Sequence, residues 1–377
     1  MVLRVGVFVF DRPTRGSLMP IFDQGYQHWE GPRRPRSLRW LTITRSGLVA
    51  GFRPRSVKLL GLASLAPALL LVIALAVWGL LEQGSSLVSF LIPLLRSLRL
   101  PTEVLEDPSL IRLPIWSLAF DRFFRIQNFL WVFLVAAIGP QLISRDLRFN
   151  ALPLYLSRPL TRFDYVLGKF GMVAVVIGSV TLAPMVLAYV LGVAFSLEAS
   201  VLTDTFGLLL NATLYCVLII VIAGLLILAI SSLTRNSRYT GLIWIGLWLV
   251  SDGVADVLTI SVRQPWCHLV SLPKNFEAIR IHLMDADVSW EKLQAVLPQT
   301  PPGGGPGGRG RNQGPFGSRP TTLPPEAIEQ SEEERAIQAL LQVERPDWTQ
   351  SLATLLGLSA VSALILSTRI RGLDRLK

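Results

Sequence analysis

Six apolar runs constrain this chain more than any other feature of its sequence. Each has between 18 and 27 residues, and a helix needs about 20 residues to cross the hydrocarbon core of a bilayer. Only 16% of the residues are charged, whereas a typical soluble domain has about 25%. The sequence therefore predicts an all-α integral membrane protein with six transmembrane helices. They cover residues 59–81, 126–143, 170–195, 207–233, 240–260 and 348–368.

Basic residues concentrate in the segments on one side of these helices. Residues 1–58, the loop 145–169, the turn 234–239 and the tail 369–377 hold 11, 5, 2 and 4 of the 36 Lys and Arg residues. Short basic segments stay in the cytoplasm, by the positive-inside rule. The longer loop 261–347 falls outside the rule, which applies to loops of up to about 60 residues. Both termini are therefore predicted to be cytoplasmic.

This layout divides the chain into four regions. Residues 1–58 are a cytoplasmic segment, and residues 59–260 hold the first five transmembrane helices. Residues 261–347 are an extracytoplasmic loop with a disordered Gly/Pro-rich stretch at 298–325, and residues 348–377 hold the sixth helix and a basic tail. No cleavable signal is predicted, and a translation start at Met19 is an alternative to Met1.

Several shorter helices are predicted outside the membrane. Residues 37–52 place apolar side chains on one helical face, which favours an amphipathic helix on the inner leaflet. A solvated linker is the alternative there, because Gly47 and Gly51 weaken a helix. On the other side, residues 87–95 and 116–124 are predicted as interfacial pieces, residues 196–206 as a short link, and residues 275–284, 289–297 and 326–343 as helices.

The charge and the motifs exclude several functions. The net charge of +10 does not indicate nucleic-acid binding, because the basic residues cluster beside apolar runs, where they contact anionic lipid. No nucleotide-binding P-loop is present, since Gly168-Lys169 is followed by Phe170 rather than Ser or Thr. No arrangement of serine, histidine and acid indicates a nucleophile. The sequence therefore predicts a protein that is not an enzyme and binds no cofactor itself.

Acidic residues near the fifth helix allow two interpretations. Asp252 and Asp256 are four residues apart and share a helix face, as in an ion or transport path. Alternatively, Asp256 lies near the outer surface and Gly253 ends the membrane helix. A metal site is not predicted, because the spacing of its candidate ligands matches no tight pattern. These candidates are Cys267, His268, His282, Asp285 and Asp287.

The basic loop at 145–169 reads RDLRFNALPLYLSRPLTRFDYVLGK. Its apolar middle, residues 151–156, predicts a short helix that Arg158-Pro159 stops, because proline has no amide donor and restricts the preceding residue. A short helix held beneath the membrane by two transmembrane helices is suited to receive a push from a cytosolic partner.

The same loop resembles the permease subunits of type-2 ABC transporters. The motifs are Ser157-Arg158-Pro159-Leu160-Thr161-Arg162 and Leu167-Gly168-Lys169. Many members have Gly-Thr-Leu-Glu before the apolar helix, and this chain departs from that pattern at 149–153 by lacking the acid. The resemblance implies that the loop docks on a separate ATPase. It assigns this contact to Asp146, Arg148, Leu152, Leu154, Tyr155, Arg158, Pro159, Arg162 and Lys169.

The resemblance further implies the partners of the chain and its location in the cell. The chain would pair with a second copy or a sibling permease in the plasma membrane, the inner membrane of a bacterium. Two cytosolic ATPase subunits would bind ATP and Mg, and the pair would act as an exporter. Two alternatives remain open: a membrane anchor or sensor that transports nothing, and an ion-coupled transporter that uses Asp252 and Asp256.

Overall fold

The computed structural model describes residues 39–83, 111–139, 142–151, 160–196, 199–296 and 346–373. All regular structure in these ranges is helical, and a 3₁₀ turn at Pro265–Val270 precedes α10. The α-helices in chain order are α1 (Arg39–Gly51), α2 (Arg55–Ala63), α3 (Ala66–Glu82), α4 (Arg112–Ile138), α5 (Ile143–Arg148), α6 (Arg162–Val180), α7 (Leu182–Ser196), α8 (Ala199–Leu233), α9 (Ser237–Val262), α10 (Leu272–Leu283), α11 (Ala286–Val296) and α12 (Trp348–Leu373).

Six stretches of the described chain are long and apolar enough to span a membrane, so the predicted number is confirmed. Each crossing after the first reverses direction, which leaves α1 and the end of α12 at the same end of the bundle. We call this the loop end, because α5 lies there, and the other the cap end. The six stretches are Arg55–Glu82, Arg112–Arg148, Arg162–Ser196, Ser200–Leu233, Ser237–Val262 and Trp348–Arg369.

The predicted interfacial piece at 116–124 is wrong. These residues lie inside the continuous helix α4, where Trp116, Phe120 and Phe124 are fully buried. The apolar run had placed the start of this transmembrane helix at residue 126, because Asp121 interrupts the apolar pattern before it. The Asp121 carboxylate is buried in an ion pair, so the helix tolerates it.

Two further boundaries differ from the sequence-based expectation. Most of the predicted link at 196–206 is helical, because α8 already begins at Ala199. Gly253 does not end α9, which continues to Val262. Apolar runs mark only the part of a helix that suits lipid, whereas backbone hydrogen bonding continues through polar residues. The predicted segments at 87–95, 298–325 and 326–343 lie outside the described residues, as do residues 152–156 of the predicted loop helix. The division into four regions stays a prediction.

Helix α1 confirms the predicted helix at 37–52 and packs against α6. The Thr44 hydroxyl donates a hydrogen bond to the Gly168 carbonyl oxygen at 2.9 Å. A Cβ atom on Gly168 would lie 2.7 Å from Ile43 Cβ, and one on Gly171 would lie 2.7 Å from Thr44 Oγ1. The two helices therefore approach so closely because α6 has glycine at both contact points. Placement of α1 on the inner leaflet stays a prediction.

At the cap end, α10 and α11 fold back onto the bundle. The predicted helices at 275–284 and 289–297 are confirmed, and Phe276 and Ile279 of α10 are buried. Asn211 of α8 donates to the Leu283 carbonyl oxygen at 3.0 Å. Aromatic side chains of α4, α9 and α10 pack together beneath this cap. They are Trp131, Trp244, Trp248 and Phe276.

The contact between α1 and α6 predicts a position-specific effect of alanine. Gly168→Ala should lower the free energy of unfolding by about 1–3 kcal/mol, because the new methyl group overlaps Ile43 and the Trp40 carbonyl. Gly178→Ala on the same helix is the control, since its Cβ would meet only Ile220 at 3.8 Å. That variant should be neutral or stabilised by up to about 1 kcal/mol. Thermal unfolding in detergent measures both, and equal midpoints would contradict the close packing of α1.

Candidate functional site

The short helix α5 is attached to α8 at its first residues. The first amide groups of a helix have no partner within it. Here the backbone N–H groups of Ile143 and Ser144 both donate to the Ser231 hydroxyl, each at 2.9 Å. Ser231 is fully buried in α8. The start of α5 is therefore fixed by a side chain that comes from another transmembrane helix.

The end of α5 is set by a left-handed residue. Asn150 has a φ of 50°, a conformation that asparagine adopts more readily than most residues. The Asn150 N–H donates to the Leu147 carbonyl oxygen at 3.4 Å, and the Ala151 N–H donates to that of Asp146 at 2.9 Å. These two bonds form a Schellman motif, which satisfies the last carbonyl groups of the helix. The chain therefore leaves α5 in a defined direction toward residues 152–159.

A buried ion pair joins α5 to α6. The Lys169 ammonium lies 2.7 Å from the Asp146 carboxylate and also donates to the Leu142 carbonyl oxygen at 3.0 Å. The Tyr165 hydroxyl donates to the same carboxylate at 2.7 Å. Asp146 is only 9% exposed and Lys169 only 5%. Tyr165 and Lys169 reach one carboxylate because residues four apart share a helix face.

The start of α6, which follows residues 152–159, is fixed by a capping box. Thr161 precedes α6, and its hydroxyl accepts a hydrogen bond from the Asp164 N–H at 3.1 Å. The Asp164 carboxylate in turn accepts from the Thr161 N–H at 3.0 Å. Such reciprocal caps define where a helix begins. The described structure on both sides of residues 152–159 is thus held by specific hydrogen bonds.

The structure brings together two of the predicted coupling residues, Asp146 and Lys169. Arg148 is exposed on α5, with its guanidinium 5.7 Å from the centre of the Phe149 ring, and Arg162 is the exposed first residue of α6. The role of all four in coupling stays a prediction. The other five predicted residues lie outside the described part of the chain. They are Leu152, Leu154, Tyr155, Arg158 and Pro159.

Sequence reasoning missed Tyr165 and Ser231. A signal for Tyr165 was present, because it stands four residues before Lys169 and so faces the same way. Ser231 gave no such signal. Its partners lie 88 and 87 residues earlier in the chain, and a serine near the end of an apolar helix has no local feature that identifies it as a cap.

Asp252 and Asp256 both contact α10 or the residue before it. The Asp252 carboxylate accepts a hydrogen bond from the Ser271 hydroxyl at 2.8 Å, and Asp256 forms an ion pair with Lys274. Asp252 also lines a cavity of about 330 Å³ between α4, α9 and α10, whose other lining residues include Arg125 and Trp248. Both acids thus help to hold α10, and their role in a transport path stays a prediction.

The candidate metal ligands do not form a site in the described residues. No group of three or more His, Cys, Asp or Glu side chains there is arranged to hold a metal ion. Cys267 is buried as a free thiol, and the His282 ring stacks on Trp348 with ring centres 4.2 Å apart. His282 therefore has a packing contact that joins α10 to α12.

The buried pair of α5 and α6 predicts non-additive mutations. Lys169→Met should cost about 3–5 kcal/mol in unfolding free energy, because Asp146 would remain buried without its cation. The double variant Asp146→Leu/Lys169→Met should cost less than the single one, since no buried charge is left. As a control, Lys274→Met should cost less than about 1 kcal/mol, because the Asp256 side chain is 60% exposed. Thermal unfolding in detergent compares the three, and a larger loss in the double variant would contradict the pairing.

Comparison with known proteins gives one family. The family model described as ABC-2 family transporter protein matches residues 27–281, more than half of the 377 residues. The match includes α1, the loop that contains α5, and α10 up to Ile281. A comparison with curated proteins gave no match. The match and the six apolar helices identify a multi-pass permease of an ABC transporter. Such a permease is the membrane component of the transporter and works with ABC ATPase subunits. The chain belongs to the ABC-2 transporter family.

Proposed function

We propose that this permease couples to a separate cytosolic ATPase through the loop at 145–169. The observation that carries the proposal is the attachment of both borders of residues 152–159 to transmembrane helices. On one side, Asp146 of α5 is paired with Lys169 of α6, and on the other side the Thr161 cap fixes the start of α6. A load applied to this loop therefore passes directly to α6 and α8.

The path of such a load can be followed residue by residue. On the α6 side it runs through the Asp146–Lys169 pair and the Tyr165 hydrogen bond, and on the α8 side through the two amide bonds to Ser231. Helix α1 packs on α6 at Gly168, one residue before Lys169, so it would move together with that helix. In our proposal ATP and Mg bind to the partner, and this chain supplies only the mechanical connection.

The remaining parts of the proposal concern assembly and direction. The chain pairs with a second copy or a sibling permease, acts as an exporter and lies in the inner membrane of a bacterium with both ends in the cytoplasm. The concentration of basic residues at the loop end supports this orientation. Asp252 is proposed to face the transport path, which the cavity between α4, α9 and α10 supports.

Two other functions make different predictions. A membrane anchor or sensor would leave the activity of a reconstituted ATPase unchanged. An ion-coupled transporter using Asp252 and Asp256 would continue to transport after ATP depletion. Family membership favours the ATP-driven function over both.

The proposed docking contact predicts a loss of coupling without a loss of folding. Leu154→Asp and Tyr155→Ala should each weaken ATPase binding about 30-fold or more, the effect of removing a buried anchor worth about 2 kcal/mol. Both variants should reach the membrane at normal levels, because neither residue belongs to a predicted transmembrane helix. Co-purification and stimulation of ATPase activity are the measurements.

Matched controls for these variants lie at the cap end. Val288→Asp and Trp290→Ala change exposed side chains of α11, 49% and 47% exposed. They should leave ATPase binding unchanged, because a cytosolic subunit does not reach this end. Full coupling in the Leu154 and Tyr155 variants would show that the loop is not the docking element.

The proposed orientation predicts which residues are labelled from outside the cell. Single cysteines at Ser157 and Ser318, in a background that lacks Cys216 and Cys267, should react with an impermeant maleimide on opposite sides. Ser318→Cys should react in intact cells, and Ser157→Cys only after lysis. Reaction of the Ser157→Cys variant in intact cells would reverse the orientation.

A further inference from the structure

A cleft at the loop end is lined by arginines from two separate segments. Arg148 comes from the end of α5, Arg235 from the turn between α8 and α9, and Arg238 from the first turn of α9. Asn236, which caps α9, completes the lining. The cleft has a volume of about 410 Å³. Residues almost 90 positions apart in sequence thus line one space with three positively charged side chains.

These three arginines differ from the buried cations of the bundle. Arg112, Arg280 and Lys169 each form an ion pair with an acid. For the arginines of the cleft, no carboxylate within 4 Å is found among the described residues. Like charges that converge without a counterion repel one another. The positive-inside rule requires basic residues at this end of the bundle, but it does not require them to meet in a cleft.

The donors in this cleft suit a phosphate group. Each guanidinium carries five N–H donors in a planar fork, whose geometry matches the oxygen atoms of phosphate. Three guanidinium groups can compensate a charge of −1 or −2 and supply more donors than one phosphate can accept. A concave site of this kind recognises a phosphate more specifically than scattered surface charges do.

The surroundings of the cleft point to a lipid as the source of the phosphate. Three apolar or aromatic side chains within two residues of the arginines are exposed: Phe149 is 65% exposed, Tyr239 56% and Leu233 49%. Leu242, one helical turn further into α9, is 64% exposed. A lipid offers acyl chains to this apolar surface as well as a phosphate to the arginines, whereas a soluble anion offers only the phosphate.

We propose that the cleft lined by Arg148, Arg235 and Arg238 binds the phosphate-bearing headgroup of an anionic lipid, with its acyl chains along the exposed side chains of α8 and α9. The lipid joins the end of α5 to the turn between α8 and α9. The bound lipid therefore connects α5 to the bundle non-covalently, in addition to the hydrogen bonds between α5 and Ser231. All of its lining residues belong to this chain, so the site would exist in the permease alone, although Arg148 is also among the predicted ATPase contacts.

The test measures lipid binding to the purified full-length chain by native mass spectrometry. The probes are dioctanoyl phosphatidylglycerol, dioctanoyl phosphatidylcholine and glycerol 3-phosphate. The wild-type chain should bind phosphatidylglycerol most tightly. Arg235→Gln/Arg238→Gln should weaken this binding about 10- to 30-fold, since each basic residue near a lipid surface contributes about a factor of five.

A matched control removes the same charge at the same end of the bundle. Arg53→Gln/Arg55→Gln changes two exposed arginines at the start of the first span, away from the cleft. This variant should bind phosphatidylglycerol within about twofold of the wild type. Arg235→Lys/Arg238→Lys keeps the charge but loses the fork, so it should bind less tightly than the wild type and more tightly than the glutamine variant. Thermal unfolding without lipid confirms that all variants are folded.

Three results would overturn the proposal. Equal binding of glycerol 3-phosphate and phosphatidylglycerol would make the cleft a site for a soluble phosphate. An equal loss of phosphatidylglycerol binding in the Arg53→Gln/Arg55→Gln variant would mean that binding depends only on the overall charge of this end. Unchanged lipid binding in the glutamine variant, together with loss of the co-purified ATPase, would make the cleft a contact for an acidic protein surface.

Discussion

Every buried charge in the described part of this bundle is held by an opposite charge from a different helix. Lys169 of α6 meets Asp146 of α5, and Arg280 of α10 meets Asp121 of α4. Arg112 of α4 reaches Glu82 of α3 at 2.8 Å and Asp204 of α8 at 2.9 Å. An uncompensated charge in such a place would cost several kcal/mol. The pairs therefore determine which helices can be neighbours and prevent them from sliding past one another.

The ion pairs have a different role at each end of the bundle. At the loop end, the Asp146–Lys169 pair and the Ser231 cap attach a short helix to the bundle. At the cap end, Arg280 attaches the folded-back helix α10 to Asp121 in the N-terminal half of α4. Apolar packing between these ends is not directional. The polar contacts therefore fix the relative positions of the helices, which apolar contacts alone do not determine.

Local patterns in the sequence predicted much of the fold. The number of crossings followed from apolar length, α1 from its apolar helical face, and α10 and α11 from stretches whose residues are compatible with a helix. The extent of α4 could not be predicted this way, because Asp121 suggests an exposed end unless its partner Arg280, 159 residues later, is known. The candidate site divides similarly. The basic loop and its Thr161–Asp164 cap are local, whereas the capping of α5 by Ser231 depends on which helices are neighbours.

The attachment of α10 has a kinetic consequence for any passage through a single chain. A molecule that left through the centre of one bundle at the cap end would have to separate Arg280 from Asp121. Separating a buried pair leaves both charges uncompensated, which is costly and would slow each passage. On the outer face of α9, Leu249 and Val257 are exposed, and a Cβ atom added at Gly253 would meet no other atom of the described residues within 4 Å. A route along that face would leave the Arg280–Asp121 pair intact.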